Sequence, residues 1–69
     1  MRTFKVKQVI FCGVYKFRVF AIDNDTLFLR NLSVNHHRFL VCKIMAYRDG
    51  NEYVKCRLKP SNDLILIRA

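Results

Sequence analysis

The chain has 69 residues, 52% of them hydrophobic, and sets 13 Lys and Arg against 5 Asp and Glu for a formal charge of +8. That length holds one core and excludes a second domain, so residues 1–69 read as a single small basic domain. The apolar content excludes a disordered basic tail, and no apolar run approaches the length that spans a bilayer.

Gly13, Asp23-Asn24-Asp25, Ser33 to His37, Asp49-Gly50-Asn51 and Pro60 to Asp63 are turn or loop signals. They cut the chain into short β-rich segments over residues 3–11, 14–22, 26–31, 38–48, 52–59 and 64–68. The first two pair across a tight turn at Cys12-Gly13, with Ile10 opposite Tyr15, Val6 opposite Val19 and Phe4 opposite Ala21. Gly13 equally fits a bulge in one long bent strand, and either arrangement keeps Tyr15, Phe17 and Val19 on the core face. Lys7 then faces Arg18, with Lys5 and Lys16 on the same side. After the segment at 26–31, the stretch from Leu32 to His37 is the one place with room for a helical turn.

Alternation is clearest between Leu40 and Leu58: Leu40, Cys42, Ile44 and Ala46 share one face, as do Val54, Cys56 and Leu58. A two-residue turn at Asp49-Gly50 would set these apolar residues against charged ones. A three-residue loop, Asp49-Gly50-Asn51 with Asn51 left-handed, instead pairs Ala46 with Val54, Ile44 with Cys56 and Cys42 with Leu58. The closing run Leu64 to Ile67 does not alternate. It is therefore covered on both faces or shared with a second copy, which leaves a homodimer through that strand open.

Short strands without an amphipathic helix predict an all-β fold, a small SH3-like barrel of five to six short antiparallel strands, with an OB-like barrel as second choice. The expected register has a chemical consequence on the outer face. Val41, Lys43, Met45 and Tyr47 oppose Lys59, Arg57, Lys55 and Tyr53, which gathers four cations and two tyrosines on one β surface. Like charges in cross-strand pairs repel, as Lys43–Arg57 and Lys7–Arg18 would, and beside the first of these nothing acidic alternates except Glu52 near the tip. Cations interleaved with aromatics suit single-stranded nucleic acid, because bases stack on the rings while Lys and Arg neutralise phosphates. The expected nucleic-acid-binding residues are Lys43, Lys55, Arg57, Lys59, Tyr47 and Tyr53, extended by Lys5, Lys7, Lys16 and Arg18.

The remaining chemistry-bearing residues point to no catalytic centre, metal or cofactor. His36 and His37 are adjacent, so on a strand they would point to opposite faces and could not hold one ion together. The acidic residues other than Glu52 sit in turn signals, where capping is their ordinary work, and the spacing of Asp23 and Asp25 lacks the ligands of a calcium loop. Cys12, Cys42 and Cys56 are odd in number with no CxxC spacing, which fits reduced core thiols in a cytoplasmic protein, Cys12 the most reachable. The expected function is non-catalytic, largely sequence-tolerant binding of nucleic acid, with no membrane involvement. The alternative is a protein-interaction module or inhibitor docking on an acidic surface of a larger protein, anchored by Phe20 and Phe39. Stand-alone length and an initiator Met fit a tiny gene product of the kind bacteriophages and bacteria encode.

Overall fold

The computed structural model describes residues 1–33, 39–57 and 64–69. These form seven strands: β1 (Val9–Cys12), β2 (Tyr15–Asp23), β3 (Thr26–Asn31), β4 (Phe39–Lys43), β5 (Met45–Ala46), β6 (Glu52–Arg57) and β7 (Leu64–Arg68). All pairings are antiparallel, and the strands form a four-stranded sheet in the order β1-β2-β3-β4 and a three-stranded sheet in the order β5-β6-β7. We call these sheet A and sheet B. The all-β expectation holds, but the described residues do not close a barrel: β1 and β7 touch without sharing a ladder.

The core lies between the sheets. Ile10, Cys12, Phe17, Val19, Leu27, Leu29 and Cys42 enter it from sheet A, and Val54, Cys56 and Ile67 from sheet B. Period-2 alternation selects them, since each stands between exposed or half-buried neighbours. Phe4 belongs to this core, 5% exposed, although the first eight residues form no strand. Hydrogen bonds to the start of β6 hold it there: the Phe4 amide donates to Glu52 Oε2 at 3.0 Å, and the Glu52 amide donates to the Arg2 carbonyl at 2.8 Å.

Where the structure departs from the sequence reading, turn chemistry is the cause. The first hairpin turns at Gly13-Val14, pairing Cys12 with Tyr15 and Ile10 with Phe17. Gly13 has φ +62 and Val14 does not share the positive region, the pattern of a turn with glycine at its first central position. The expected 38–48 strand breaks at Ile44, whose amide donates to the Asp25 carbonyl at 2.6 Å before the chain leaves sheet A for sheet B. Its hairpin with β6 pairs Ala46 with Glu52 and Met45 with Tyr53, not Ala46 with Val54. Gly50, at φ +87, takes the left-handed position assigned to Asn51, whose amide and side chain instead bond the Asp49 carboxylate at 3.0 Å.

Candidate functional site

Position 20 gives sheet A its most distinctive feature. β2 and β3 pair Val19 with Leu29 but Ala21 with Phe28, so Phe20 is the extra residue of a β-bulge. Bulges re-aim side chains, and this one turns the Phe20 ring outward among neighbours on β3 and β4. It lies 6.0 Å from Phe28 and 5.5 Å from Phe39, tilted to the first at 52° and edge-on to the second at 69°. Phe20 remains 45% exposed, Phe39 54% and the adjoining Val41 63%.

A row of cations runs beside the rings. Across the four strands the register sets Val9, Arg18, Arg30 and Phe39 side by side, and the next row is Ala21, Phe28 and Val41. Same-face neighbours along a strand are roughly 7 Å apart, so each arginine lies within one side-chain length of a ring. Arg18 and Arg30 are a directly opposed like-charge pair. Lys16 extends the cations toward β1, opposite the exposed Phe11. The acids of this sheet, Asp23 and Asp25, stand at the β2–β3 turn, away from that row.

The cations expected on one surface are divided between the sheets. Lys43 is on sheet A opposite Thr26, not opposite Arg57, and approaches Asp25 at 3.9 Å. Both partners are largely exposed, so the ion pair contributes little and is screened by salt. Lys55 and Arg57 are on sheet B opposite Leu66 and Leu64. The division follows from the sheet change at Ile44, which alternation does not reveal. Lys7 sits in the turn before β1 with φ +76, and Val9 takes the place expected for it opposite Arg18. Lys5 lies in the same turn, its amide bonded to Gln8 Oε1 at 3.0 Å. Lys59, His36 and His37 lie outside the described residues.

Tyr47 and Tyr53 do meet on sheet B, stacked with centroids 4.2 Å apart and planes at 24°. The Arg68 guanidinium lies 5.5 Å from the Tyr47 centroid, a cation–π contact the sequence reading did not anticipate. These rings already stack within the chain, whereas the Phe20 cluster meets its members at tilted or edge-on angles. Phe28 and Arg30 were missed because the bulge that aligns them with Phe20 and Arg18 leaves no signal in composition or period.

The cysteines are all buried, Cys12 completely, so the most reachable thiol is not Cys12. Among the described residues no group of three or more His, Cys, Asp or Glu is arranged to hold a metal ion, and no helix is long and apolar enough to cross a membrane. In comparison with known proteins, no family model, no curated protein and no solved structure matches this chain.

Proposed function

We propose that the outer face of sheet A binds single-stranded nucleic acid with little sequence preference and without catalysis. The observation that carries this is the cluster Phe20, Phe28 and Phe39 on an open β face, bordered by Arg18, Arg30 and Lys16. Unstacked bases have apolar faces that rest on such rings, and the arginines and lysine sit where the phosphates of the same strand would pass. A duplex keeps its base faces stacked inside and would engage only the cations, so single strands gain most from this surface. The two sheets are read as a small barrel opened at the β1–β7 seam. A reduced, cytoplasmic setting suits the three free thiols.

Fluorescence anisotropy with labelled single-stranded and duplex oligonucleotides tests the reading across a salt series. Single strands should bind more tightly than duplex, and log affinity should fall linearly with log salt by about 0.7 per phosphate neutralised. Absence of binding at low salt, or a flat salt response, overturns it and leaves docking on an acidic protein surface as the use of the same phenylalanines.

A further inference from the structure

Two of the buried thiols meet across the sheets. Cys42, on β4, is paired within sheet A to Leu27, and Cys56, on β6, is paired within sheet B to Ile65. Their sulfurs are 2.9 Å apart, one donating its S–H to the other. That separation is less than about 1 Å beyond the S–S bond length of about 2.05 Å. The third thiol, Cys12, is buried at 0% exposure, while Cys42 retains 7% and Cys56 4%.

The two members of the pair are not equivalent. The hydrogen bond from the Cys56 thiol favours the ionised form of Cys42 and holds its pKa below the ordinary thiol value against the opposing effect of burial. The same hydrogen bond and burial push Cys56 up, and burial pushes Cys12 up. Cys42 is the least buried of the three, and a hydrogen bond from Cys56 favours its thiolate.

We propose that Cys42 and Cys56 form a redox-active dithiol that a hydroperoxide oxidises to a disulfide joining sheet A to sheet B. In the first step the Cys42 thiolate attacks one peroxide oxygen. An S–O bond forms, the O–O bond breaks, and the departing hydroxide takes up a proton to leave as water when the oxidant is hydrogen peroxide. In the second step the Cys56 sulfur attacks the Cys42 sulfenic acid: the S–S bond forms, the S–O bond breaks, and the hydroxyl leaves with the Cys56 proton as a second water. Two thiols lose two electrons in all, and the peroxide gains them. The inference is independent of what the outer face of sheet A binds.

The test treats the intact folded chain with hydrogen peroxide, then alkylates it under denaturing conditions and maps the peptides without reduction. The expected product is a monomer with a Cys42–Cys56 link, two hydrogens lighter than the dithiol, with Cys12 alkylated and the link reversed by dithiothreitol. The oxidised monomer melts at higher temperature than the reduced one, because the link constrains the unfolded chain. Cys12→Ser should oxidise in the same way, and Cys56→Ser should stop at a Cys42 sulfenic acid that dimedone traps. Alkylation of all three cysteines after peroxide, a link that includes Cys12, or a link between two chains would overturn the proposal. Because the decisive mapping is done on the unmodified sequence, a variant that fails to fold does not decide it.

Discussion

Replacing Phe39 with alanine removes one ring from the exposed cluster while leaving every charge in place. Its ring is 54% exposed and meets Phe20 edge-on at 5.5 Å, so much of its surface already faces water. The folding cost is therefore about 1–2 kcal/mol, the value of an aromatic pair plus partial burial, below the roughly 3–5 kcal/mol of deleting a core Phe. A domain of this length has roughly 3–10 kcal/mol of stability, so the variant stays folded. On the binding side, one base stacked on an aromatic side chain is worth about 1–3 kcal/mol, which weakens affinity about 5- to 150-fold. Anisotropy titration of a labelled single-stranded oligonucleotide, with a thermal melt alongside, reads both quantities. The dissociation constant should rise within that range while the slope of log affinity against log salt stays the same, because no phosphate contact is lost. An affinity unchanged within a factor of two, with the fold intact, would show that the ring carries no base and would refute the stacking argument.

Other perturbations separate the remaining parts of the reasoning. Arg18→Ala should lower affinity at low salt and make the single-strand salt slope shallower by about 0.7, the mark of one lost phosphate contact, checked by the same titration. Phe4→Ala should destabilise by about 3–5 kcal/mol in urea unfolding despite lying outside any strand, since its ring is buried in the core. Gly50→Ala should cost about 1–3 kcal/mol for placing a side chain at φ +87. The 2.8 Å approach of its Cβ to Met1 Sδ adds little because that side chain can move. Iodoacetamide applied to the folded, reduced protein should leave Cys12 unmodified, and peptide mapping that found Cys12 labelled first would contradict its complete burial.

Alternation made Phe17, Val19, Cys42, Val54 and Cys56 legible as inward-facing, but Val6 and Ala46 are exposed and Cys12 is fully buried, and which residues face one another was not legible. The reason is parity: sliding a hairpin register by two keeps every residue on its own face, so the apolar pattern cannot distinguish the two pairings. Both mispaired hairpins carry that error, Ile10 meeting Phe17 instead of Tyr15 and Ala46 meeting Glu52 instead of Val54. In each, the deciding fact is the position glycine takes within the turn. Parity also explains the candidate site. Phe20 and Phe39 were readable as outward-facing, and Tyr47 does stack on Tyr53, although the ladder sets Met45 and not Tyr47 opposite Tyr53. The apposition of Lys43 with Arg57 failed because it needed one unbroken strand through Ile44, and the pairing of Arg18 with Arg30 depends on a bulge that no local pattern announces.

The bulge also shows how position 20 relates to the rest of the ladder. With that residue excised, Val19 opposite Leu29 would run directly into Ala21 opposite Phe28, and the β2–β3 pairing on both sides would continue in phase with no partner exchanged. The hairpin's architecture would then be complete without Phe20. A shortened chain that folds normally yet no longer holds single strands would mark this phenylalanine as an inserted tool on an otherwise self-sufficient scaffold.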